Sequence, residues 1–215
     1  MTWLVRQVRP PEFPAVHAVV TGAFGREDEA RLVERLRASD AWVPRLTLVA
    51  RPLGEPRGPI VGFAALSRIT VGGQPALALA PVAVAPEWQG KGAGSALVRT
   101  GIARAARRHE RLIVVLGDPS YYGRFGFVAA IPMGIHGPYD NAGPAFQALV
   151  LPGDDPIPNG LAVYPDLFDG LCRRPARPAS ERTAFQSASN TPQDVRPKST
   201  SFVFTVPAVR PGAVW

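Results

Sequence analysis

A chain of 215 residues with 46% apolar residues can bury one sizeable core and is too apolar to be wholly disordered. No apolar run reaches the roughly 18 residues of a membrane span, and Arg6, Arg9, Pro10, Pro11 and Glu12 break up the stretch a signal peptide would need. The net charge of +7 is uneven: the last 44 residues hold 7 Lys/Arg against 2 Asp/Glu and the first 171 hold 17 against 15, so the body of the chain does not advertise a phosphate-backbone groove.

In chain order, "WLVRQV" (3–8) reads as a strand. Residues 12–24 carry Phe13, Val16, Val19, Val20 and Phe24 at helical spacing, with Pro14 tolerable in the first turn. Residues 26–39 place acids in their first turn and Leu32, Val33 and Leu36 on one face, as a second helix does. Residues 45–51 and 60–69 read as neighbouring strands around the turn-rich "PLGEPRGP". Residues 74–84 form a long strand with Pro81 inside it; a proline removes a ladder donor, so a bulge or an unpaired position is expected there. A helix follows from Ser95 to about Arg108, and the almost wholly apolar "RLIVVLG" (111–117) reads as a strand buried on both faces. A short helix and further strands complete the order. After Cys172 the period stops: six prolines, scattered Ser, Thr and Arg and little apolar surface predict a disordered basic tail over 172–215. Within it "SFVFTV" (201–206) has the composition of a short strand. The domain is therefore placed at 1–171. One cysteine, Cys172, makes no internal disulfide, which suits a reducing cytoplasm.

The densest signal is "PEWQGKGAGSALV" (86–98), a glycine loop between a strand and a helix N-terminus. Such a loop is either a tight turn or an anion site, because unpaired amides and the positive dipole end favour negative charge and glycines let oxygens approach. A P-loop needs its lysine after the last glycine, and Lys91 precedes Gly92 and Gly94. The dinucleotide fingerprint G-x-G-x-x-G fails because Gly90, Gly92 and Gly94 are evenly spaced. What fits is Q-x-x-G-x-G, Gln89 through Gly94. With "PVAVAPEW" before it, this resembles the acetyl-CoA pyrophosphate loop of the GNAT superfamily of N-acetyltransferases. A second match follows: "YYGRFGF" (121–127) resembles that family's Y-x-x-x-G-F element, with Tyr122 in the tyrosine position. Within the superfamily, "GDPSYYGRFGF" and the loop region are most similar to the YhbS-like subgroup. The likeness covers roughly residues 1–171.

The resemblance implies an α/β (α+β) GNAT fold, a mixed and mostly antiparallel sheet flanked by helices. It implies an acetyl-CoA-dependent N-acetyltransferase, with an acyl-CoA-binding or regulatory module of weak turnover as the alternative. By the same resemblance, Gln89, Gly90, Lys91, Gly92, Ala93, Gly94 and Ser95 hold the pyrophosphate. Val82, Ala83 and Val84 pair with the pantetheine arm, where a main-chain N–H polarises the thioester carbonyl. Tyr122 is the catalytic acid toward sulfur, since a phenol of pKa about 10 is protonated at neutral pH. No metal is implied.

Some relatives carry a glutamate base on the central strand, but residues 74–84 contain no carboxylate. Asp118, His136 or water stand as candidates, with Asp118 favoured as a turn cap before Pro119. His17, His109 and Cys172 read as structural. The acceptor is a small-molecule or peptide amine, and the regions that would select it, 12–39 and 131–143, carry no recognisable code. A monomer or homodimer in the cytoplasm, with neither a membrane nor a nucleic-acid partner, completes the expectation.

Overall fold

The computed structural model describes residues 2–55 and 58–168. The expected tail at 172–215 and the strand at 201–206 lie outside the described residues.

The sheet begins with β1 (Trp3–Gln7), β2 (Thr47–Pro52), β3 (Gly62–Val71) and β4 (Gln74–Val84), each antiparallel to the next. Next on the path lies β5 (Leu112–Leu116), parallel to β4, followed by β8 (Phe146–Val150) and β6 (Val128–Ala129). Two short strands, β7 (Ile135–His136) and β9 (Gly160–Val163), pair with each other, and β9 also pairs antiparallel with the end of β3. This is the mixed, mostly antiparallel sheet that the resemblance implies.

Strand alternation sends side chains to two faces. On one face Leu48, Leu66, Leu77, Val82 and Val84 pack with α3 (Ala93–Ala106) through Leu97, Val98 and Ala105. On the other, Val49, Phe63, Ala65 and Ala83 pack with α1 (Phe13–Phe24) and α2 (Asp28–Arg37) through Val16, Val19, Val20, Ala30 and Val33. β5 is buried on both faces, as its unbroken apolar run requires.

Helix ends follow local chemistry. Residues Pro10–Glu12 form a separate 3-10 turn, so α1 starts at Phe13; Gly25, at φ +71°, closes it, and its N–H donates to Thr21 O at 2.8 Å. Glu12 sits at the junction. Its carboxylate accepts from Arg6, from Arg51 at 2.8 Å and from the Arg9 N–H at 2.8 Å, tying β1 and β2 to the entry of α1. Behind α3, buried Glu110 accepts two bonds from Arg68 of β3, at 2.6 and 2.8 Å, which fixes where β5 begins.

The bulge expected at Pro81 is present. The register runs Ala64↔Val82 but Leu66↔Leu79, so Ala80 and Pro81 together oppose Ala65.

Candidate active site

The glycine loop is held from three sides. Gln89 Nε2 donates to Val84 O at 3.0 Å and binds the loop's start to the end of β4. Trp3 Nε1, from β1, donates to Lys91 O at 2.9 Å, and its ring meets Trp88 edge-on at 5.9 Å. Lys91 Nζ donates to Glu87 O at 2.8 Å and lies 4.9 Å from the centroid of the Trp88 ring.

Gly90 and Gly92 adopt φ of +71° and +88°, a region where side chains are strained. A Cβ at Gly90 would meet nothing within 4 Å, so the loop's outer side is open. Gly92 is the N-cap of α3 and offers no side chain to the first-turn amides, and that turn contains no acid. Open backbone, bare amides and a 14-residue helix dipole together make a cradle that fits a pyrophosphate. Gly90, Lys91 and Gly92 are exposed, and Gln89, Gly94 and Ser95 half-buried. Ala93 faces the core, so its contribution to a ligand comes through the main chain.

In front of this cradle the sheet opens. β4 and β5 pair only at Leu77↔Ile113 and Ala78↔Val114. Beyond Ala78, Val82, Ala83 and Val84 keep their ladder with β3 alone among the described strands. Their side chains are buried, but their main-chain groups facing β5 are those a strand-like ligand arm needs.

A cavity of about 50 Å³ occupies the opening on the α2 side. Ala78 to Pro81 and Val114 to Leu116 form two walls; Tyr139, Tyr164 and Phe168 close it, and Leu32 and Glu29 of α2 complete it. A wider groove of about 480 Å³ runs between α1 and α2, past His17, Glu34 and Arg37.

Both tyrosines sit on α4 (Pro119–Tyr122), a single turn after β5. Asp118 caps it, accepting from Ser120 N and Ser120 Oγ at 2.8 Å each. Those bonds from Ser120 lower the Asp118 pKa, so Asp118 serves as an ionised turn cap, the role favoured from its position before Pro119. Tyr121 is half-buried, and its hydroxyl lies near the Ser95 side chain, in the first turn of α3. Burial raises its pKa, and the neighbouring Ser95 side chain partly opposes that.

Tyr122 is fully buried. Its ring lies edge-on to Tyr121 at 5.1 Å and Phe127 at 5.6 Å, in the same core cluster as Val82, Val84 and Leu97. Burial pushes its phenol well above the ordinary value, so it keeps its proton at every physiological pH.

The histidines lie apart from the opening. His136 sits on β7, half-exposed, with Nδ1 3.3 Å from Asp140 Oδ2. His17 pairs with Glu34 at 3.1 Å across the outer groove. The acidic group that does reach the opening is Glu29, only 2% exposed and bound by Arg26 of the preceding turn. As a first-turn acid it reads as a dipole partner, yet it stands three residues before Leu32 and seven before Leu36, on the helix's buried stripe; that spacing was the available signal.

This arrangement has counterparts. The sequence profile of the acetyltransferase (GNAT) family matches residues 11–127. The uncharacterized N-acetyltransferase YhbS of Escherichia coli K12 is 31% identical over 170 residues, covering 77% of this chain and 98% of YhbS. The uncharacterized N-acetyltransferase YjhQ of the same strain is 40% identical over 116 residues, covering 52% of this chain but only 62% of YjhQ. The crystal structure of E. coli YhbS in complex with CoA superposes with a TM-score of 0.71 at 29% identity, over 79% of this chain and 93% of that one. A GNAT family acetyltransferase from Brucella melitensis, solved with acetyl-CoA, superposes at 0.63 with 31% identity, over 78% of this chain and 99% of that one. The glycine cradle, the sheet opening before it and the tyrosine turn beside it thus lie within a shared sequence and a shared fold, and the chain belongs to the GNAT family of acetyltransferases.

Proposed function

We propose that this protein is an acetyl-CoA-dependent N-acetyltransferase that moves an acetyl group to an amine by direct attack. The observation that carries the reading is the place of the opening: β4 parts from β5 after Ala78, on the line from the loop at Gln89–Gly94 to the cavity beside α2. Acetyl-CoA supplies the activated acyl group as a thioester. The amides of residues 89–95 hold its pyrophosphate, and the main chain of Val82, Ala83 and Val84 aligns its pantetheine arm. A main-chain N–H of that stretch meets the charge that develops on the carbonyl oxygen. Tyr122, kept protonated by burial, gives a proton to the departing sulfur. The solved relatives bound to CoA and acetyl-CoA support the cosubstrate. One chain supplies every group invoked, so a monomer suffices and a homodimer is equally compatible. The single cysteine, Cys172, fits a cytoplasmic setting.

Two measurements test the reading. Calorimetric titration with acetyl-CoA should give saturable binding, weakened in Gly92→Val, where a branched residue at φ +88° both strains the loop and crowds the oxygens. A thiol-release assay over a panel of amines should then give turnover with at least one of them. Binding without turnover on any amine points instead to the acyl-CoA-binding module.

A further inference from the structure

On the acceptor side of the opening the cavity is lined by one buried acid, Glu29. We propose that Glu29 receives the ammonium of an unbranched primary amine in the cavity at the sheet opening and takes the proton that the amine loses before it attacks. This rests on the acetyl-transfer reading for its reaction, but not for its binding claim.

A buried carboxylate is costly unless it is paired and hydrogen-bonded. Glu29 is 2% exposed, and Arg26 is its only hydrogen-bonding partner among the described residues. Arg26 Nε straddles both oxygens at 3.1 Å, and Nη2 favours Oε1. Oε2 therefore takes one shared, long bond, although an ionised carboxylate oxygen can accept two. Beside its Arg26 partner Glu29 keeps acceptor capacity, in a cavity otherwise walled by Ala, Leu, Val, Pro and aromatic residues, where a second cationic donor can bind.

The position also fits. Tyr122 and the loop helix α3 lie on one face of the sheet, and α2 lies on the other. An acyl group threading the opening from the α3 side meets an amine entering from the α2 side, where Glu29 is. Size limits the amine. The cavity is small, about 50 Å³, which favours an amine that is slender next to its nitrogen.

The step balances. The ammonium gives one proton to the Glu29 carboxylate. The freed lone pair bonds to the thioester carbonyl carbon, and the C–S bond breaks with its electron pair going to sulfur. Nitrogen's second proton replaces the one that Tyr122 gives to sulfur, and Glu29 returns its proton to solvent.

The test uses n-butylammonium, n-butanol and tert-butylammonium as probes, titrated by saturation-transfer NMR into the full-length protein without cosubstrate. n-Butylammonium should bind at least about tenfold tighter than n-butanol, as a charge-assisted bond predicts. tert-Butylammonium should not compete. In Glu29→Gln the preference for charge should fall to about twofold or less, and Glu29→Asp should retain part of it. Melting curves and acetyl-CoA affinity, measured alongside, identify a variant that has simply unfolded. Equal binding of n-butanol by the wild type, or a preference kept in Glu29→Gln, overturns the proposal. Loss of acetyl-CoA binding in the wild type would instead count against the transferase reading.

Discussion

Trp3, on the first strand, donates its indole N–H to the Lys91 carbonyl in the glycine loop at 2.9 Å, across 88 residues of sequence. That bond fixes the peptide between the two left-handed glycines, Gly90 and Gly92. Replacing Trp3 by Phe keeps an aromatic ring against Trp88 but removes the donor. Acetyl-CoA affinity should fall about three- to tenfold, from a bond worth about 1 kcal/mol, with little change in melting temperature. Calorimetry on both proteins checks it; unchanged affinity means that the loop holds its shape without Trp3.

Gly94 is coupled to Tyr121. A Cβ at Gly94 would lie 2.7 Å from the Tyr121 hydroxyl and 3.5 Å from Val84 Cγ2. The phenol sits on a rigid ring packed edge-on against Tyr122 and Phe125, so it cannot swing aside freely. Gly94→Ala should therefore weaken acetyl-CoA binding, and Tyr121→Phe in the same chain should recover part of the loss. A double-mutant cycle measures the coupling, expected at about 0.5–3 kcal/mol. Strict additivity would separate the two residues.

The adjacent tyrosines should divide kinetically. Tyr122→Phe removes only a buried hydroxyl and should lower kcat about 10²–10⁴-fold at nearly constant acetyl-CoA affinity. Tyr121→Phe loosens the first turn of α3 and should act mainly on affinity. Wild-type turnover by the Tyr122 variant, on an amine established as substrate, would reduce that ring to packing.

Acid should loosen the entry to α1. The hydrogen bond from Arg6, followed in effect by the Arg9 N–H and the charge of Arg51, lowers the Glu12 pKa from 4.5 to about 2. A carboxyl whose pKa is depressed on folding stabilises the protein fully above its unfolded value. That stability is lost as pH falls from about 5 toward 2. Allowing for solvent screening, about 1–2 kcal/mol depends on it. Glu12→Gln should melt lower than wild type at pH 7, and the gap should close as pH drops toward 2. A gap independent of pH would exclude the ionised carboxylate as the cause.

The C-terminal boundary is open to truncation. Phe168 is buried against Leu32, Leu36 and Ala41, and its ring lies 5.4 Å from that of Tyr164. We propose that the domain ends near Leu171. A chain stopped there should keep its melting temperature and acetyl-CoA affinity, whereas one stopped before Tyr164 should lose several degrees, as removal of a buried aromatic costs about 3–5 kcal/mol. A marked loss in the longer chain would place needed contacts beyond Leu171.

Much of this architecture is written locally. The period of Phe13, Val16, Val19 and Val20, the apolar run of β5 and the proline inside β4 each act through neighbours a few residues away, so they are legible without a partner. So is the glycine loop, because backbone freedom and a helix start are properties of adjacent residues. Helix ends shifted by a residue or two where a separate turn such as Pro10–Glu12 took up the chain. What the tertiary structure alone decided is which distant groups meet. The parting of β4 from β5 after Ala78 is a matter of register between strands some 35 residues apart. Glu29 reaches that opening because the packing of α2 turns its buried stripe toward β4, while Tyr139, Tyr164 and Phe168 close the same space from the far end of the domain. Periodicity says that a side chain turns inward; only packed neighbours determine what it faces.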